Sequence, residues 1–129
     1  MYSDDGVLNV GISKIDKEHE AISHLCEEIA AAISDRKSPD EVKTSVLKLT
    51  TMIDEHFKEE ERLFEPLHLA LEKQHNEEHR VLIGKLAAIT EEVEQGSGSV
   101  RKNFNDFSDS LQRHISYDFE MKHILIAYS

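Results

Sequence analysis

Four stretches of this chain repeat apolar residues at alternating steps of three and four, a period that commits them to amphipathic helices sharing one core. The first reads Ile15, His19, Ile22, Cys26, Ile29, Ile33, and the second Val42, Val46, Leu49, Ile53, His56, Glu60, Leu63. The third reads His75, His79, Leu82, Leu86, Ile89, Val93, and the fourth Val100, Phe104, Phe107, Leu111, His114, Asp118, Met121, Leu125. Val and Ile do not gather into alternating, strand-like runs. Four seams with one period predict an all-α, up-down-up-down four-helix bundle, with helices over about 15–35, 39–65, 69–95 and 100–125. A chain of 129 residues, 39% hydrophobic, suits a single domain spanning 1–129.

Local chemistry marks the helix ends. Asp16 is a candidate N-cap for the first helix, which should stop before the polar stretch Arg36-Lys37-Ser38. Ser38-Pro39-Asp40-Glu41 combines a capping serine, a proline at the first helical position and a glutamate three residues after the cap. Pro66 should break or kink the second helix, and Gly96-Ser97-Gly98-Ser99 should end the third.

Seven residues interrupt the apolar seams: His19, His56, Glu60, His75, His79, His114 and Asp118. Burying each costs a few kcal/mol, of the order of ~2 or more, unless something pairs with it. Short connections make neighbouring helices antiparallel, so positions early in the first and third helices meet positions late in the second and fourth. All seven then fall in one layer. The pairs His56/Glu60, His75/His79 and His114/Asp118 are spaced by four, which places each pair on one helix face about 6 Å apart in rise. Five imidazoles and two carboxylates exceed what one tetrahedral zinc ion accepts, so two metal ions fit better. Imidazole with carboxylate suits iron, manganese and zinc remaining open as loadings, and a carboxylate has two oxygens with which to bridge neighbouring ions.

A lone histidine on an apolar face is ordinarily a satisfied core residue, and an isolated H-x-x-x-H is a weak signal; the joint placement of seven is what points to metal. His24, His68 and His123 fall off the seams and read as surface residues or as groups behind the ligands. Cys26, the single cysteine, reads as a small core residue, and of Glu59-Glu60-Glu61 only Glu60 points inward.

The charge balance excludes several partners. Lys and Arg number 15 against 26 Asp and Glu, a net charge of −11 that repels phosphate backbones and anionic lipid, so neither nucleic acid nor membrane is expected. No apolar run approaches the ~20 residues of a membrane span, and Met1-Tyr2-Ser3-Asp4-Asp5 lacks the basic and apolar regions of a signal peptide. With one cysteine a disulfide framework is ruled out, and a cytoplasmic location is expected.

These residues resemble the bacterial hemerythrins and the hemerythrin-like, HHE cation-binding domains over nearly the whole chain. Val10-Gly11-Ile12-Ser13-Lys14-Ile15-Asp16-Lys17-Glu18-His19 is similar to that family's first-helix segment, and His56-Phe57-Lys58-Glu59-Glu60-Glu61 to its H-F-x-x-E-E. His75-x-x-x-His79 and Leu111-x-x-His114-Ile115 complete the resemblance. It implies a four-helix bundle, the fold that the seams also predict. The resemblance implies two iron ions, Fe2+/Fe3+, with an oxo or hydroxo bridge. His75, His79 and His114 would hold one ion, His19 and His56 the other, and Glu60 and Asp118 would bridge them. The second ion would keep an open position for dioxygen, in a dry pocket for which Ile22, Phe57, Leu111 and Ile115 are candidate walls; ordinary core packing accounts for those four equally well.

Two departures stand out. The usual family spacing on the last helix is H-x-x-x-x-D, whereas position 119 is phenylalanine and the aspartate comes one residue earlier. On an ideal helix Asp118 lies ~40° from His114 and Phe119 ~140° away, so Asp118 is the better-aimed group; some hemerythrin-like proteins use H-x-x-x-E here. The tryptophan often found before the first ligand is also missing.

The expected function is therefore reversible dioxygen binding by a non-haem di-iron protein, as carrier, store or sensor, rather than an enzyme. The alternative is a di-iron enzyme acting on peroxide, nitric oxide or ferrous iron, and the third possibility a metal-free helical interaction module. No acid or base in the seams beyond the seven is available to relay protons, which favours binding over turnover.

Overall fold

The computed structural model describes the backbone of residues 2–64 and 72–128 and the side chains of residues 13–62 and 76–116. The chain forms α1 (Tyr2–Ser34), α2 (Pro39–Phe64), α3 (Glu72–Gln95) and α4 (Val100–Tyr128), with no strand among the described residues. Each helix packs against its two neighbours in a closed ring, α1 on α2, α2 on α3, α3 on α4 and α4 on α1. Because the links from α1 to α2 and from α3 to α4 are so short, sequential helices run antiparallel, the expected up-down-up-down bundle.

Ser38 starts α2 as its composition predicts: the Glu41 N–H donates to Ser38 Oγ at 3.2 Å, and the Val42 N–H to the Ser38 carbonyl at 3.1 Å. α2 is described as far as Phe64, and Pro66, expected to break or kink it, lies outside the described residues. The α1 start differs from the expectation at Asp16, since α1 runs unbroken from Tyr2. Asp16 sits inside the helix and is not its N-cap. No proline interrupts the segment before it, and Gly6 and Gly11 each cost a helix only about 1 kcal/mol relative to alanine, too little to stop it. A capping residue permits a helix to begin; it does not compel it to.

Two Schellman motifs close α1 and α3. At the end of α1 the Arg36 N–H donates to the Ile33 carbonyl at 3.2 Å and the Lys37 N–H to that of Ala32 at 3.0 Å. At the end of α3 the Gly96 N–H reaches the Val93 carbonyl at 3.2 Å and the Ser97 N–H that of Glu92 at 2.9 Å. Both motifs need a left-handed residue. Gly96 takes φ 68° freely, whereas Arg36 takes φ 56° against the steric demand of its Cβ.

The buried side chains follow the seams. Ile29, Val46, Leu49, Ile53, Leu86, Phe104 and Phe107 are wholly buried, and the rings of Phe104 and Phe107 pack 5.9 Å apart. Leu25 and Phe57, beside the seams, are buried as well. Cys26 is a core residue, as expected; burial, with a smaller contribution from Glu27, pushes its thiol up to about 12.

Arg36→Gly should raise stability by about 1 kcal/mol, seen as a higher urea midpoint with unchanged slope, because glycine removes the left-handed penalty. Cys26 should resist alkylation at pH 8 in the native protein and react at once in denaturant, since its thiolate is scarce and its sulfur covered.

Candidate metal centre

Helical spacing of four carries His56 and Glu60 on one face of α2, and both point into the bundle, 2% and 0% exposed. Around Glu60 stand imidazoles from all four helices: His19 of α1, His56 of α2, His79 of α3 and His114 of α4. Its two oxygens divide them. Oε1 lies 2.8 Å from His56 Nε2 and 3.4 Å from His19 Nε2, while Oε2 lies 3.4 Å from His79 Nε2 and 4.0 Å from His114 Nε2. Two ligand groups result, His19/His56/Glu60 and Glu60/His79/His114, in each of which the donor atoms lie within 4.8 Å of one another. Five of the seven residues singled out by sequence therefore converge on one layer. His75 and Asp118 lie outside the described side chains.

The donor set fits cations. His79 Nε2 and His114 Nε2 face each other at 3.0 Å, an approach that needs a proton between them or a cation in its place. His56 Nε2 is buried and, although close to Glu60 Oε1, makes no hydrogen bond of acceptable geometry. Imidazole nitrogens and a carboxylate whose donor atoms converge within 4.8 Å of one another are what borderline-hard divalent ions bind.

Carboxylates that the seams did not single out stand behind these imidazoles. His56 Nδ1–H donates to Glu18 Oε2 at 2.7 Å, and His114 Nδ1–H to Glu78 Oε2 at 3.1 Å. Glu61 lies 3.9 Å from His79 Nδ1, so that this residue, expected on a solvated face, is half-buried near the cluster. The overlooked signal was a glutamate directly before a seam histidine, found three times, as Glu18-His19, Glu55-His56 and Glu78-His79; Glu55 is exposed, while Glu18 and Glu78 reach a ring of the neighbouring helix. At 100° per residue such a neighbour flanks the seam, where it can face the next helix. Burial acts first on His56, lowering its pKa, but the close carboxylates of Glu60 and then Glu18 outweigh it and raise the pKa of the ring above its ordinary value.

Apolar side chains close around the layer. Phe57 stacks on His79, with centroids 3.8 Å apart and planes 5° from parallel, and meets the His114 ring edge-on at 5.5 Å. Ile22 and Leu111 are buried beside it and Ile115 is partly buried against the same core. A groove of about 440 Å³ between α1 and α2, lined by Lys14, Glu18, Ile22, Met52 and His56, reaches the cluster from outside. His24 is exposed and pairs with Glu28 at 3.4 Å, away from the site as expected; His68 and His123 lie outside the described side chains. No helix of the described residues is long and apolar enough to cross a membrane.

The chain matches the family model described as the Hemerythrin HHE cation binding domain, over residues 10–118. No curated protein and no solved structure matches it.

Ferrous iron at a hundredfold excess over its dissociation constant should raise the melting temperature by about 10 °C, a chelator should reverse this, and Glu60→Ala should remove most of the gain. The raised pKa of His56 fixes the sign with pH. In the metal-free protein its stabilisation is full below about 6.5 and is lost as pH rises through the folded value, whereas metal needs the deprotonated ring. The metal-induced rise, followed by differential scanning fluorimetry, should thus be larger at pH 8 than at pH 6.

Proposed function

We propose, starting from the fact that this chain belongs to the hemerythrin HHE cation-binding domain family, that it holds a pair of iron ions and binds dioxygen reversibly. The observation that carries this reading is the division of Glu60: one oxygen toward His19 and His56, the other toward His79 and His114. A single ion would leave one half of that set unserved. Two ions bridged by the carboxylate serve both.

His79, His114 and, by its place one turn earlier on α3, His75 would hold one ion, and His19 and His56 the other; Asp118, four residues after His114, would supply a second bridge. The half with two imidazoles then has fewer protein ligands, which leaves room for a small molecule. An iron pair supplies two electrons that dioxygen can take up on binding and return on leaving.

The chain's own part is to orient the imidazoles and keep the inner face dry. Ile22, Phe57 and Leu111, buried in the same core, would cover it, and the carboxylates described near the cluster, Glu18, Glu61 and Glu78, stand on the Nδ1 sides of the rings. From there Glu18 holds a proton at His56 Nδ1 and Glu78 one at His114 Nδ1, on the side of each ring away from Glu60. That arrangement favours binding and release over proton-coupled turnover.

Anaerobic ferrous reconstitution should give about two iron atoms per chain by metal analysis. Titration with oxygen should then produce a charge-transfer band in the near ultraviolet to visible that disappears on deoxygenation. Sustained consumption of added peroxide, with no reversible band, would put the enzyme reading in first place. Asp118→Ala should weaken iron retention or speed autoxidation, while Glu120→Ala should do neither; equal effects would reassign the second bridge.

A further inference from the structure

The contact between His56 and Glu18 is repeated, residue for residue, on the other side of the bundle. Glu18 precedes His19 on α1 and accepts from His56 of α2; Glu78 precedes His79 on α3 and accepts from His114 of α4. Each Glu-His dipeptide thus turns its histidine toward Glu60 and its glutamate toward the Nδ1 of the other histidine in the same half. Each carboxylate also lines a groove open to solvent, Glu18 that between α1 and α2, and Glu78 one of about 460 Å³ between α3 and α4.

We propose that Glu18 and Glu78 are positioning residues, each fixing the ring and tautomer of one ligand histidine, so that position 18 governs the His19/His56 ion and position 78 the His79/His114 ion. The assignment rests on the two-ion reading above. A carboxylate on Nδ1 keeps the proton there, leaves the Nε2 lone pair facing the metal and makes that nitrogen a stronger donor. A neutral amide at the same place keeps the shape and loses the charge.

The two halves are not equal. The Glu18 contact is 2.7 Å with the carboxylate 26% exposed, against 3.1 Å and 45% for Glu78. Lys14 also lies 3.9 Å from Glu18 and 3.7 Å from Glu59 across α1 and α2, although at 62% exposed it adds little. The shorter, less solvated contact should have the larger effect, and it serves the ion with fewer histidines. Glu18 is therefore the residue through which the oxygen-binding half is tuned.

The test uses the full chain with Glu18→Gln, Glu78→Gln and, as control, Glu28→Gln on the exposed face of α1. Each is loaded anaerobically with 57Fe2+, titrated with a chelator and read by Mössbauer spectroscopy. The wild type and the Glu28→Gln control should hold two ions. Glu18→Gln should hold one of them about 10–100-fold more weakly, and Glu78→Gln should weaken the other by a smaller factor, so that the two variants retain different quadrupole doublets. A purely structural role would lower the melting temperature of the metal-free protein without choosing between ions. Unchanged retention, or equal loss of both ions in both variants, overturns the assignment alone. Fewer than two ions in the wild type overturns the two-ion reading and this assignment with it. Should Glu18→Gln fail to fold, Glu78→Gln poses the same question at the other half.

Discussion

One fully buried carboxylate, Glu60, organises this bundle. Removing an ionised carboxylate from water costs several kcal/mol even after relaxation, of the order of ~5, and the cost is offset only by close, well-aimed partners. Glu60 finds them on every helix: His19, His56, His79 and His114 each come from a different one. The four helices must therefore agree in rotation and height at this layer. The wholly buried Ile29, Val46, Leu49, Leu86, Phe104 and Phe107 drive association but, being apolar, are indifferent to small sliding. The polar layer is not, so it sets the register that the apolar layers stabilise.

How much of this was legible in the sequence follows from what a period can specify. Steps of three and four fix which face of a helix is inward, so His56, Glu60, His79 and His114 could be placed inside without any coordinates, and all four are buried. Antiparallel connectivity then put His19 at their level. A period does not fix the small rotation of one helix against the next, and the contacts from Glu18 to His56 and from Glu78 to His114 depend on that rotation. These glutamates look like ordinary surface charge when one helix is read at a time. The α1 start was missed for a different reason: the apolar seam begins at Ile15, whereas the helix continues to Tyr2 by backbone hydrogen bonding that needs no seam.

Polar groups behind a metal ligand do more than decorate it. Glu60 and Glu18 together raise the pKa of His56 in spite of burial and so favour a proton on that ring. A metal ion at His56 must displace that proton, which couples ion affinity to pH.

The halves of the bundle share one plan and differ in its details. Glu18-His19 on α1 with His56-x-x-x-Glu60 on α2 corresponds to Glu78-His79 on α3 with His114-x-x-x-Asp118 on α4. In that register Asp118 takes the position of Glu60, one methylene shorter, and His75 has no counterpart on α1, where Ile15 stands four residues before His19. A symmetric arrangement would give two equivalent ions, each equally able to take a further ligand. On the proposed assignment His75 would fill the coordination of one ion, and the open position would be left to the other. The inequality of the halves is therefore what the proposed function requires: one ion would be held to stay, and its neighbour would be kept available.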